Sequence, residues 1–181
     1  MTTWEHCSVD IEQLSFEALD DRHDLQGFTC GNSSIDTFFL STAYYDQALG
    51  LSQTTVVIYH EQVVGFYSAR CTKIEIRRSE AGQLGLDELY VQAIEVPFLG
   101  VHKNLQKKGI GKELLEFIIA DVTEIAERVG CKFLFLQALN EPDLIAWYTK
   151  HGFRITEVEG DNDRLAPMRM PIMQRVEFPE Y

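Results

Sequence analysis

The segment from Val91 to Leu139 constrains the fold more than any other. An apolar run, Val91 to Val101, is followed by a glycine turn, a long amphipathic stretch and a second apolar run, Phe133 to Leu139. Leu114, Leu115, Ile118, Val122, Ile125, Ala126 and Val129 recur at helical spacing. The spacing predicts a helix that opens near Gly109, with Gly130 as its C′ stop. Strand, helix and strand in that order require a parallel crossover. Upstream, Thr54 to Tyr59 and Val63 to Ala69 are β-branched and aromatic runs around His60-Glu61-Gln62, the pattern of an antiparallel hairpin. Together they predict a mixed α/β sheet.

The other segments are shorter. Ile11 to Leu19 reads as a first strand, and Ser33 or Ser34 offers the N-cap of a helix that ends at Gly50. Arg77 to Asp87 reads as a polar loop. Pro142 suits the first turn of a short helix through Trp147 and Tyr148 to Gly152. Phe153 to Val158 and Met168 to Met173 read as closing strands. No linker-like stretch and no internal repeat interrupts the 181 residues, so one domain over 1–181 is expected.

Charge and cysteines narrow the function classes. Sixteen basic residues against 28 acidic ones leave a net charge of −12, which argues against a surface that clings to nucleic acid or anionic lipid. Cys7, Cys30, Cys71 and Cys131 show no C-x-x-C pairing, so neither a disulfide framework nor a metal site is expected. Met1 to Asp10 is acidic and polar, and no run of eighteen apolar residues occurs. The expectation is a soluble, cytoplasmic domain without a membrane partner.

The turn itself, Gln106-Lys107-Lys108-Gly109-Ile110-Gly111, has the physics of an anion site. Glycines let backbone approach a ligand closely, and N–H groups at a helix start carry partial positive charge. Lys103, Lys107, Lys108 and Lys112 make a basic island. Two nucleotide motifs fail. A Walker A loop needs glycine where Gln106 stands and Ser or Thr where Glu113 stands, and a dinucleotide fingerprint needs glycine at Leu114.

The Q-x-x-G-x-G turn resembles the acyl-CoA loop of the GNAT superfamily of N-acetyltransferases. A second stretch resembles the same family: Asn140, then Ala146-Trp147-Tyr148-Thr149-Lys150-His151-Gly152-Phe153. Asp143 stands where a small residue is usual, and Tyr148 lies one residue further from Asn140 than in the commonest spacing. The resemblance spans roughly Ile11 to Met173. It implies a GNAT-type α/β fold: a twisted, mostly antiparallel sheet with a central parallel βαβ crossover and helices on both faces.

The resemblance also implies a site. Acetyl-CoA is the implied cosubstrate, without a metal. Gln106, Lys107, Lys108, Gly109, Ile110, Gly111 and Lys112 would bind its pyrophosphate, and Asn140 its pantetheine arm. Backbone groups of Leu99, Gly100 and Val101 would pair with pantetheine and polarise the thioester carbonyl. Tyr148 would protonate the departing thiolate. Glu95 stands eleven residues before Gln106, the offset of a general-base glutamate in one branch of the family. An ammonium acceptor must lose a proton before it attacks a thioester, and a carboxylate in an apolar strand can take it.

The N-terminal half, with Phe28-Thr29-Cys30-Gly31, Ile35-Asp36-Thr37-Phe38-Phe39 and Val63-Val64-Gly65-Phe66-Tyr67, resembles a GNAT subgroup. Its members include toxins that acetylate aminoacyl-tRNA and pair with a DNA-binding antitoxin. Tyr44, Tyr45 and the loop Arg77 to Asp87 fall on the elements that shape the acceptor cleft in the family. Charge decides the expected acceptor: a small-molecule or peptide primary amine attacked directly, with nucleic acid disfavoured. The alternatives are a toxin-like enzyme acting on aminoacyl-tRNA and a catalytically silent acyl-CoA sensor. A homodimer stays open.

Overall fold

The structure is a computed structural model that describes residues 8–156 and 164–172. Among the described residues seven strands form one sheet in the order β1-β2-β3-β4-β5-β7-β6. The chain divides into two compact units. Described residues 8–70 and 96–118 make the first, and 71–95 with the described part of 119–172 the second.

In the first unit, Asp10 caps a 3-10 turn at Ile11–Gln13, and only Ser15–Ala18 continues as strand β1. The expected strand over Ile11 to Leu19 is therefore shortened, because Asp10 accepts from the Glu12 amide and turns the chain. Helix α1 covers Ser33–Ser41 and α2 Ala43–Ala48. The cap of α1 is Asn32, not Ser33 or Ser34: its side chain accepts from the Ser34 and Ile35 amides. The expected single helix breaks at Thr42, whose φ of −120° leaves the helical region.

Strands β2, Gln53–Tyr59, and β3, Gln62–Glu75, form the expected antiparallel hairpin. Its turn places His60 and Glu61 at φ 47° and 61°, the left-handed geometry that matches strand twist, here without glycine. Aromatic rings fill the core of this unit. Phe39 stacks on Phe66 at 3.9 Å and Phe38 on Phe98 at 3.8 Å, while Phe28 meets Phe39 edge-on at 4.8 Å.

Strand β4 runs from Tyr90 to Val101 and helix α4 from Ile110 to Arg128. Gly130 is not among the glycines with positive φ, so it is not the left-handed stop that the sequence predicts. In the second unit the polar loop carries a short helix, α3, at Arg78–Gln83, closed by Gly85 at φ 67°. Strand β5 covers Phe133–Leu139, α5 Pro142–Lys150, β6 Arg154–Ile155 and β7 Leu165–Pro171.

Pro142 opens α5 as expected. The expected strand positions beyond Thr156, and Met173, lie outside the described residues, as does Cys7. β5 and β7 pair antiparallel from Phe133↔Pro171 to Leu139↔Leu165. β4 and β5, joined through α4, are neighbours in the order. A helical crossover makes theirs the one parallel pair in the otherwise antiparallel sheet. Among the described residues no helix is long and apolar enough to cross a membrane, and no cluster of His, Cys, Asp and Glu could hold a metal ion.

Candidate active site

The glycine turn forms where the sequence places it. After a 3-10 turn at Lys103–Leu105, Gln106 is extended, Lys107 has φ 62° and Gly109 φ 95°, and α4 begins at Ile110. Left-handed residues just before a helix curl successive amides into a concavity that suits an anion. The Gly109 carbonyl accepts from Lys112 at 2.9 Å and Glu113 at 3.2 Å. The amides of Ile110 and Gly111 precede the first intrahelical acceptor and have none within α4. A Cβ built on Gly111 meets nothing within 4 Å, whereas one on Gly109 meets Ile11 Cδ1 at 3.0 Å. Gly109 is therefore fixed by backbone conformation, and Gly111 leaves space beside the helix start.

The side chains of the turn divide their work. Gln106 Nε2 donates to the Cys30 carbonyl at 2.8 Å and the Val101 carbonyl at 3.0 Å, tying the Phe28-Thr29-Cys30 turn to the end of β4. Lys103 and Lys107 are exposed, and Lys108 is half-buried. Lys112 Nζ reaches Glu116 at 3.1 Å and Glu113 at 4.0 Å, so its charge is largely answered by its own helix. Ile110 is buried completely and anchors the helix start in the core.

A further network that the sequence reading missed supports the Gln106 tie. Asp36, in the first turn of α1, accepts from Thr29 Oγ1 at 2.7 Å and the Cys30 amide at 2.8 Å. Burial pushes the Asp36 carboxyl up, but these hydrogen bonds outweigh it and hold the group below the usual carboxylate range. The readable signal was an Asp six residues after a cysteine in a glycine turn, which is too common to stand out.

The end of β4 explains its glycine. A Cβ on Gly100 would lie 2.9 Å from Phe66 Cε1 and 3.3 Å from Cys30 Cβ. Gly100 is thus required by packing against β3, whatever its backbone also does. Leu99 is half-buried and Val101 buried. Burial pushes the Cys30 thiol up to about 11, which disfavours the thiolate that a nucleophile needs.

In the second unit, Glu95 is 4% exposed between Ile94 and Val96, which are also buried. It is a carboxylate held deep in a strand covered on both faces. Tyr148 lies on α5 with its ring edge-on to Trp147 at 4.9 Å and Phe153 at 5.5 Å. Its hydroxyl is pushed up to about 12 by burial alone. Asn140 follows the last residue of β5 and is exposed, with its backbone N–H donating to the Arg164 carbonyl at 2.9 Å. Tyr44 and Tyr45 are exposed on α2 in the first unit.

Comparison with known proteins places this geometry. Residues 51–155, more than half of the chain, match the family model of the acetyltransferase (GNAT) domain. A tRNA-acetylating toxin from Mycobacterium tuberculosis (strain ATCC 25618 / H37Rv) is 24% identical over 148 residues, covering 78% of this chain and 84% of the relative. A structure of AtaT complexed with acetyl-methionyl-tRNAfMet superposes with a TM-score of 0.76 at 23% identity, over 87% of this chain and 94% of AtaT. AtaTR bound with acetyl-CoA gives a TM-score of 0.73 at 24% identity, over 90% and 95% of the two chains.

These relatives overturn one expectation. The sequence reading disfavoured nucleic acid and favoured a small-molecule or peptide amine as partner, whereas the similar proteins are described as acting on tRNA. The physical error lay in using a sum. A net charge of −12 describes the whole chain, but at 0.1 M salt a phosphate feels charges within about 10 Å. Basic residues here are grouped, as at Lys103 to Lys112 and Arg70 to Arg78.

Proposed function

Because the chain belongs to the GNAT family of acetyltransferases, we propose that it moves an acetyl group from acetyl-CoA to the α-amino group of an aminoacyl-tRNA. The observation that supports the acceptor is likeness to a tRNA-acetylating toxin over 78% of the chain in sequence and to AtaT complexed with acetyl-methionyl-tRNAfMet over 87% in fold. The glycine turn supports the donor. Backbone amides at Ile110 and Gly111 would meet the pyrophosphate of the coenzyme, with Gln106, Lys107, Lys108, Gly109 and Lys112 framing them. Asn140 and the backbone of Leu99, Gly100 and Val101 would hold the pantetheine arm.

In this reading the amine nitrogen attacks the thioester carbon directly, the C–N bond forms, and collapse of the adduct breaks the C–S bond. Tyr148 gives its proton to the leaving thiolate. A hydroxyl held near 12 stays protonated at any physiological pH, so the proton is there to give. Glu95 takes the proton from the acceptor amine. That task is lighter for an α-amino group, with an ordinary pKa of about 8, than for a lysine near 10.4. At neutral pH about one α-amino group in ten is already a free base. A raised Cys30 thiol supports direct transfer over an acyl-enzyme.

The test is competition between acceptors. Purified protein and acetyl-CoA are incubated with a mixture of charged tRNAs, spermidine and a lysine peptide, and products are read by mass spectrometry. Acetyl on the aminoacyl ester is expected. Acetyl on spermidine or peptide, with charged tRNA untouched, overturns the acceptor while leaving the family chemistry in place.

A further inference from the structure

The second unit contains a cavity of about 420 Å³. Its walls come from the end of β3, from α3, from the start of β5, and from β6 and β7. Arg77, Arg154 and Arg169 line it together with Glu75 and Glu80. It is not at the Asn140 end of β5. Phe133, in the cavity wall, begins β5, and Asn140 follows its last residue. At about 3.3 Å per residue these two lie about 20 Å apart.

Arg169 lines the cavity and is held there at two points. Its Nη2 donates to Glu80 Oε2 at 2.6 Å, and its guanidinium carbon sits 4.4 Å from the centroid of the Phe133 ring. Its other terminal nitrogen, Nη1, is buried and has no acceptor among the described residues. A guanidinium carries five fixed donors, and leaving one buried and unmet is costly.

A second observation points the same way. Arg154 on β6 and Arg169 on β7 are direct cross-strand partners. Like charges opposite each other in an antiparallel pair destabilise it. Glu80 answers one of them. Among the described residues the wall carries three arginines, Arg77, Arg154 and Arg169, against two glutamates, Glu75 and Glu80, in a chain whose net charge is −12.

We propose that this cavity is a phosphate-binding site, in which an oxyanion accepts from Arg169 Nη1 and Arg154 and relieves the cross-strand repulsion. Planar guanidinium donors fit phosphate oxygens in a forked geometry that lysine cannot offer. The phosphate has two available sources, a phosphodiester of a bound nucleic acid or a free phosphate monoester. The cavity is independent of the acetyl-transfer chemistry and stands or falls separately from it.

The experiment titrates the full-length protein with inorganic phosphate by calorimetry, at matched ionic strength and with saturating coenzyme A so that the glycine turn is occupied. Arg154→Ala, at an exposed position, keeps the fold and should weaken phosphate by about tenfold, the usual worth of a charge-assisted hydrogen bond. Arg169→Gln should weaken it further. Glu80→Gln should tighten it, because it removes the carboxylate that competes for the same guanidinium. Affinity equal in the native protein, Arg154→Ala and Glu80→Gln, or no measurable binding, overturns the site. Adding uncharged tRNA distinguishes the source. Displacement of phosphate by tRNA identifies the phosphodiester, and phosphate binding that persists beside tRNA identifies the free monoester.

Discussion

As proposed binding sites, the glycine turn and the arginine cavity would meet negative charge by opposite means. The turn at Gln106 to Gly111 uses backbone amides and positive φ at Lys107 and Gly109. Of its lysines, Lys107 is exposed, Lys108 half-buried, and Lys112 already answered by a neighbour. The cavity uses side chains, Arg77, Arg154 and Arg169, gathered from separate elements, with Glu80 holding one of them in place. A backbone site is insensitive to most side-chain changes and fails at glycine. A side-chain site behaves the other way round.

The largest expected effect follows from that contrast. Gly111→Glu should reduce acetyl-CoA affinity by about a thousandfold, equivalent to roughly 4 kcal/mol of lost approach and added repulsion. The fold should survive, since a side chain at Gly111 meets nothing within 4 Å. Calorimetry and thermal unfolding on the same sample read both quantities. Unchanged affinity in a folded variant moves the donor site away from the turn.

Next in size is Tyr148→Phe, expected to lower kcat by about a hundredfold while acetyl-CoA affinity stays within error. Tyr148 also leaves an alkaline signature. Its hydroxyl moves from about 10 when unfolded to about 12 when folded, so burial favours the protonated form. That stabilisation is complete below pH 10 and is lost as pH rises from about 10 to about 12. Urea midpoints should therefore fall less between pH 10 and 12 in Tyr148→Phe than in the native protein. Equal slopes contradict a buried, protonated hydroxyl.

Legibility in the sequence follows the same contrast. The crossover, the hairpin and β5 were readable because periodicity lies within one contiguous segment, and the turn was readable because glycines mark backbone conformation. Cap and break positions were less so. Asn32 took the cap from Ser33 and Ser34 through two hydrogen bonds that spacing does not reveal. The cavity was not readable at all. Glu80 and Arg169 are 89 positions apart, and Arg154 meets Arg169 only through strand register. Tyr148 was placed by motif, but its burial is a property of packing against Trp147 and Phe153. Net charge misled for the reason that it carries no position.

A third test asks how far glycine serves packing instead of ligand. Gly100→Ala puts a methyl 2.9 Å from Phe66 Cε1, and the Phe66 ring is locked by its stack on Phe39. A destabilisation of about 1–3 kcal/mol is expected from such overpacking. Gly111→Ala, by contrast, should be neutral or slightly stabilising, because it fills open space in a helix. Chemical denaturation of the two variants separates a glycine required by the core from one left free for a ligand. Equal stability in both means that the Phe66 ring can yield.

The smallest expected effect is at Lys112, and it bears most directly on the backbone reading. Lys112 directly follows the turn residues in sequence, and a phosphate loop is often credited to its lysine. Here Nζ lies 3.1 Å from Glu116, one helical turn along, and the side chain is 57% exposed. An exposed pair of this kind already cancels most of the field that a nearby anion would feel, and solvent screens the remainder. Lys112→Ala should therefore lower acetyl-CoA affinity by less than about threefold, within the range of a surface charge. Glu116→Gln should raise it slightly, because it releases Lys112 from its partner. A loss at Lys112→Ala comparable to that of Gly111→Glu would mean that the turn binds through side-chain charge, and the distinction from the arginine cavity would then collapse.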